Sequence, residues 1–286
     1  LSNFQDFEVA GASLPSWSEK DAAPTSRVAA KAEMIDGSLY VIGGLQNSTS
    51  DRLEIYDIGD DDWSTGEALP VELDELTTVE LDDELYVFGG TSAYRYDPDS
   101  DDWTELENSD TGHEGAVSEE YRGKIYVIGG KGSSGRVVEE YDPDSDEWDT
   151  LRNSPSRRYA AASAIYNGKI YVIGGGEDDA EDRITMYDIE DDEWTVGLTP
   201  MPKRLRWAGA VQIGGKIYVI GGEDENGQES DSVFEYDPVK DSWRTMRRLP
   251  SARKGPAVAA ISSRIHVIGG ENSRGDTVNT NFRGAL

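Results

Sequence analysis

Short apolar strands recur along this chain, each closed by a pair of glycines. The clearest is K-I-Y-V-I-G-G at residues 124–130. The same pattern ends at Gly44, Gly90, Gly175, Gly222 and Gly270, so successive copies lie 46, 40, 45, 47 and 48 residues apart. β-Branched and aromatic residues suit a pleated, half-buried surface. Paired glycines mark backbone that needs positive φ or close approach. Between the pairs one grammar repeats. A loop leads to a strand ending in Tyr-Asp (Tyr56-Asp57, Tyr96-Asp97, Tyr141-Asp142, Tyr187-Asp188, Tyr236-Asp237). An acidic turn follows, and Trp63, Trp103, Trp148, Trp194 or Trp243 opens the next strand. A further loop leads to an apolar-rich strand (160–166, 208–213, 257–261), and a tight turn such as Asn167-Gly168 or Gly214-Gly215 returns to the glycine pair. That predicts four antiparallel strands per unit. Units of this period bury their faces only against each other, so residues 1–286 are expected to form a single domain.

The Gly-Gly, Tyr-Asp and Trp positions, six times in register, resemble the kelch repeat over essentially the whole chain. The resemblance implies an all-β, six-bladed β-propeller with four strands per blade around a channel. The chain ends fit a closed ring. After Gly270 one more strand is expected, Thr277 to Phe282, with Phe282 near the place of the tyrosine and no Trp after it. Trp17, Pro24 and Arg27 at the other end match Trp148, Pro155 and Arg158, so the N-terminal strand should complete the C-terminal blade. Leu1 to Ala10 receive no element.

Charge changes the picture next. Asp and Glu number 57 against 27 Lys and Arg, a net charge of −30, spread over every turn. Such a surface repels itself unless salt screens it, and the composition resembles that of proteins from extreme halophiles. It disfavours nucleic acid and anionic membranes as partners. No apolar run is long enough to span a membrane. The chain opens at Leu1 with no basic, apolar signal segment, which leaves the compartment open. The absence of cysteine removes disulfides, thiolate ligands and cysteine nucleophiles.

Against that acidity, basic residues gather at one register position. Sixteen residues before the first glycine of each pair stand Arg27, Leu73, His113, Arg158, Leu205 and Arg253, with Arg157, Tyr159, Arg204, Arg206, Trp207 and Lys254 beside them. Loops entering the innermost strands converge at one end of a propeller channel, so these residues are expected to form a positive mouth that binds an anion. Arginine suits carboxylates, and Tyr159 and Trp207 offer stacking faces. Trp207 stands apart from the six repeat tryptophans. The loop V-E-L-D-E-L of blade 2 replaces a basic residue and is expected to add little to the face. Lys31, Glu33 and Glu119 lie in innermost strands where charge is unusual, as channel acid–base candidates. The acidic turns Asp97–Asp101 and Asp142–Asp146 lack the spacing of a calcium loop, and no metal or cofactor is expected. Two histidines and no G-x-S-x-G leave nucleophilic catalysis unsupported, and His266 reads as packed. Asn47-Ser48-Thr49 is a glycosylation sequon.

Kelch propellers often serve as interaction platforms. The resemblance therefore implies a monomeric binding module for an acidic partner segment or a carboxylate-bearing sugar. The chain also resembles bacterial six-bladed kelch proteins that interconvert forms of N-acetylneuraminic acid. That alternative needs a carboxylate-binding arginine and an acid–base pair, drawn from Arg158, Arg253, Glu33 and His113.

Overall fold

The computed structural model describes residues 16–46, 48–73 and 75–285, in which the chain folds into six four-stranded antiparallel sheets. Innermost strands touch their neighbours in sequence, and that of blade 6 touches that of blade 1, closing a ring. Blade 3 shows the plan: Val117–Tyr121 at the channel, then Lys124–Ile128, Val138–Asp142 and Glu147–Thr150 at the rim. Blade 6 joins Ala257–Ile261, Arg264–Ile268 and Asn281–Ala285 to Ser16–Lys20 from the other chain end, as the repeats predict. Its third strand lies later than the expected 277–282. Gly284, not Phe282, takes the tyrosine position, opposite Ile265 and paired with Trp17. A β-carbon there would sit 2.8 Å from the Trp17 ring, so the indole occupies the space a tyrosine fills elsewhere. Residues 1–10, to which no element was assigned, and Asn47 of the sequon lie outside the described residues.

The glycine pairs follow from how tightly blades pack. Gly129 lies in the left-handed region (φ 82°), and a β-carbon there would approach the Arg158 carbonyl oxygen to 2.3 Å. Gly130 N–H donates to that same carbonyl at 2.8 Å, stitching blade 3 to blade 4. Any side chain would prise the two blades apart.

The Tyr, Trp and acidic turn form a second stitch. Tyr141 O–H donates to Asp146 at 2.7 Å, and Asp146 also accepts the N–H of Glu107 in the preceding blade at 2.9 Å. Trp148 Nε1–H donates to the carbonyl of that same Glu107 at 2.8 Å, while its ring packs 5.0 Å from Tyr141. Asp61, Asp101, Asp192 and Asp241 repeat the arrangement. The Asp of each Tyr-Asp pair does the local work instead, as Asp142 accepts Asp144 N–H to cap the turn. Trp17 Nε1–H reaches the Arg247 carbonyl at 3.3 Å, so the closing blade uses part of the same stitch. Asp146→Ala strands a buried phenol and a backbone amide, and should cost about 1–3 kcal/mol in urea unfolding. A Tyr141→Phe, Asp146→Ala double variant should lose less than the sum of the two singles.

Candidate functional site

Entry into each innermost strand passes through one backbone position in the left-handed region. The six residues are Ala29, Glu75, Gly115, Ala160, Trp207 and Gly255, with φ between 49° and 69°. Their backbones form a hydrogen-bonded belt round the channel mouth. Gly115 N–H donates to Glu75, Ala160 to Gly115, Trp207 to Ala160, Gly255 to Trp207 and Ala29 to Gly255, all at 2.8–2.9 Å. Gly and Ala suit such a belt. A bulky residue there is a conformational outlier, retained only where its surroundings hold it. Trp207 and Glu75 are those outliers.

Both meet Tyr159. Its hydroxyl donates to Glu75 Oε1 at 2.8 Å, crossing from blade 4 to blade 2 over Gly115 of blade 3. Only glycine fits beneath the ring, since a β-carbon at residue 115 would lie 2.5 Å from it. Trp207 packs edge-on to Tyr159 at 5.4 Å, and Lys131 Nζ lies 5.8 Å from the Tyr159 ring centre. Blade 2, expected to add little, thus supplies Glu75 to the centre of the mouth.

Round this aromatic pair run charges of blades 4 to 6. Arg157, 59% exposed, donates to the Gly132 carbonyl and stands 3.8 Å from Glu177. Arg204, 56% exposed, is 3.8 Å from Asp182. Glu223 bridges Arg206 at 2.6 Å and Lys254 at 2.5 Å. Burial pushes the Glu223 carboxyl up, but the Lys254 and Arg206 hydrogen bonds outweigh it and hold it below the usual range.

The register residues behave differently from expectation. Arg27, His113, Arg158 and Arg253 are 1–3% exposed, and none belongs to the channel lining. Each turns into its own blade. Arg27 donates to the carbonyls of Gly43 and Arg52 and to Glu54 at 2.7 Å. His113 bonds the Gly129 carbonyl through Nδ1 and Glu139 through Nε2 at 2.6 Å. Arg158 donates to Gly174 and Thr185, and Arg253 to Ser251, Ala252 and Thr280. In blades 1, 3 and 4 the basic side chain satisfies the carbonyl of the first glycine, which the tight glycine turn points inward. They do not form a positive ring, and Arg158, Arg253 and His113 do not join Glu33 at the channel. The signal that could have revealed this is a buried-partner candidate 26–27 residues on: Glu54 after Arg27, and Glu139 after His113.

The channel, a cavity of about 380 Å³, carries mostly negative groups. Glu33, Glu75, Glu80 and Glu119 line it, with Lys31 as the basic residue of that lining. Thr78 O–H donates to Glu33 at 2.7 Å and Ser163 O–H to Glu119 at 2.6 Å. Enclosure in the channel pushes Glu33 up to about 8, with Glu119 and Glu80 adding to it, and pushes Glu119 up to about 7. Enclosure lowers Lys31, against the pull of Glu33 and Glu75. His266 is fully buried, its Nδ1–H donating to Asn281 at 3.0 Å, and burial lowers it. Among the described residues no cluster of His, Asp and Glu converges as a metal site.

A family model described as the KLHDC2/KLHL20/DRC7 Kelch-repeats domain matches residues 29–206, and a Kelch motif model matches 208–250. The chain belongs to this kelch-repeat family. Kelch-like protein 24 of Rattus norvegicus is 32% identical over 95 residues, which cover 32% of this chain and 16% of that protein. Kelch-like protein 35 of Mus musculus is 30% identical over 123 residues, covering 42% of this chain and 21% of that protein. The chain thus aligns with only a fraction of these relatives. A solved structure titled "Structure of YjhT" superposes with a TM-score of 0.79 at 18% identity, covering 91% of this kelch chain and 95% of its own, and shares the fold.

Proposed function

We propose that this kelch propeller is a non-catalytic binding module that holds an acidic segment of a partner protein across its channel mouth. The reading rests on one observation above all: Trp207 sits in left-handed backbone where blades 3 and 6 have glycine, and there it packs on Tyr159 beside Arg157, Arg204 and Arg206. Strain kept at a partly exposed residue favours a role in recognition. A half-buried tryptophan packed on a tyrosine, with arginines flanking both in the chain, has the composition of binding hot spots. Arg157 and Arg204 have only loose carboxylate partners at 3.8 Å, so a partner carboxylate displaces little. The kinship with kelch-like proteins agrees with a protein partner.

Selection of a random displayed-peptide library on the folded domain tests it. Enriched peptides should carry Asp or Glu near an aromatic residue. Trp207→Gly gives the belt the residue it has in blades 3 and 6, so it should keep the fold while weakening those peptides at least about tenfold. Arg157→Glu with Arg204→Glu should do the same, and Arg122→Ala on the opposite face should not. Peptides that bind Trp207→Gly and the arginine variant as tightly as the parent would sink the reading.

A further inference from the structure

Each buried side chain at the register position has a counterpart in its blade. The counterpart is the third-strand residue opposite a valine: Glu54 opposite Val41, Tyr94 opposite Val87, Glu139 opposite Val127, Thr185 opposite Val172, Phe234 opposite Val219 and Phe282 opposite Val267. The six couples are therefore Arg27–Glu54, Leu73–Tyr94, His113–Glu139, Arg158–Thr185, Leu205–Phe234 and Arg253–Phe282. Four are chemically matched. Arg27 and His113 meet carboxylates. The leucines share apolar clusters with their rings. Arg253 lies over the Phe282 ring at 4.9 Å, and its Nε has no hydrogen-bond partner among the described residues.

Blades 4 and 6 both set a buried arginine against a neutral residue, but in blade 4 no aromatic ring of the described residues covers the guanidinium. Arg158 is 1% exposed, yet its counterpart is a neutral threonine, and its Nε, like that of Arg253, has no hydrogen-bond partner among the described residues. The carboxylate near it, Glu181, stands 3.8 Å away, a third exposed, and is shared with Arg183 at 3.7 Å. Two guanidinium groups on one carboxylate leave a single positive charge over. A buried charge without a counter-charge is costly.

The same blade is open beside Thr185, whose hydroxyl Arg158 meets. Its rim strand, Glu193–Thr195, has three residues where those of blades 1, 2, 3 and 5 have four, and the chain then passes through Gly197 at φ 82°. The gap is a cavity of about 290 Å³ whose walls include Ser156, Arg183, Thr185, Val196 and Leu198. Among the described residues the Ser156 hydroxyl, in a side chain 8% exposed, has no hydrogen-bond partner, and Ser154, 2% exposed, is in the same state. Thr185 Oγ1 accepts from Arg158 Nη2 at 2.9 Å, which leaves its own proton to donate. The polar side chains of the wall are thus donors, and its remaining side chains are apolar.

We propose that this cavity binds a halide ion, seated on the hydroxyls of Ser156 and Thr185 and supplying negative charge beside Arg183 of the wall and, across Thr185, to Arg158, in the blade that lacks the buried carboxylates Glu54 and Glu139 of blades 1 and 3. One uncompensated charge calls for a monovalent ion, and a wall half apolar favours a weakly hydrated one. Burial pushes the Arg158 guanidinium down to about 10, against the pull of Glu181, consistent with a cation short of a partner. The site lies at the rim of blade 4 and is independent of the reading of the mouth.

The test exchanges anions at fixed potassium concentration, because general screening stabilises so acidic a chain in any salt. Replacing isethionate, a sulfonate far bulkier than a halide, by chloride or bromide should raise the melting temperature saturably by about 2–4 °C. Thr185→Glu installs the carboxylate of blades 1 and 3. It should melt in isethionate at least as high as the parent in chloride and show no halide increment. Ser156→Ala should keep the fold and need about tenfold more halide. Crystals in bromide should show an anomalous peak beside Ser156 and Thr185. Equal melting of the parent in isethionate and halide, an increment surviving in Thr185→Glu, or a bromide-free cavity would each overturn the assignment.

Discussion

Glu54→Ala is expected to destabilise the propeller by about 3–5 kcal/mol, the cost of leaving a buried cation without its partner. Glu54 is fully buried, accepts Arg27 Nη2 at 2.7 Å and also accepts Thr25 O–H at 2.7 Å. With the carboxylate gone, Nη2 keeps only the Val41 carbonyl at 3.4 Å. The loss should appear as a lower urea midpoint at unchanged slope, at constant ionic strength. The repeats themselves supply the control. Arg27→Leu with Glu54→Phe reproduces the Leu205–Phe234 couple of blade 5 and should recover most of the loss, since apolar replacement of a buried ion pair is often nearly neutral. Arg27→Leu alone should stay destabilised, because it buries Glu54 without a cation. A Glu54→Ala variant within about 1 kcal/mol of the parent would mean that the pair is dispensable.

These couples also show what the sequence carried and what it hid. The glycine pairs, Tyr-Asp and blade tryptophans specified six blades and the closing strand because each is a local requirement: positive φ, a turn cap, a ring between sheets. Gly284 in the tyrosine position escaped that grammar because Trp17, at the far end of the chain, fills its space. The mouth was half legible. Trp207 stood out by breaking the repeat, and it does lie at the channel entrance. The direction of Arg27, His113, Arg158 and Arg253 was not legible from one register position, since an arginine beside a channel and one turned into its blade look alike. Their partners, two strands later, decide it. Glu75 was hidden for the opposite reason: its meaning depends on Tyr159, 84 residues away across a blade that has glycine.

The channel carboxylates should make stability fall as pH rises from about 5 to 8, over the interval between their unfolded and folded pKa values. Glu33 is pushed up to about 8 by enclosure, with Glu119 and Glu80 adding to it, and Glu119 to about 7 by enclosure, from an ordinary value of 4.5. Within that window the folded chain holds protons that the unfolded chain has released, so raising pH favours unfolding. The contribution is complete below the unfolded pKa and is lost as pH passes the folded values. A carboxyl whose folded pKa lies one pH unit above its unfolded one contributes about 1.4 kcal/mol at full effect. Channel water reduces that, and a fall of about 2–5 kcal/mol across the window is expected for the two groups together. The turn carboxylates act at the other end. The Ser100 hydrogen bond holds Asp97 below the usual range, and the Lys169 hydrogen bond does the same for Asp188. Their contribution is present above the unfolded pKa and lost as pH falls through the folded one. Stability should therefore peak near pH 5. Glu33→Gln with Glu119→Gln keeps an acceptor for Thr78 and Ser163, and should flatten the curve above pH 5 and be the more stable chain at pH 8. Urea unfolding at pH 5, 6, 7 and 8 in fixed KCl measures it. A parent curve that rises over this range, or a double variant with the parent's slope, would show that these two carboxylates titrate as ordinary surface groups.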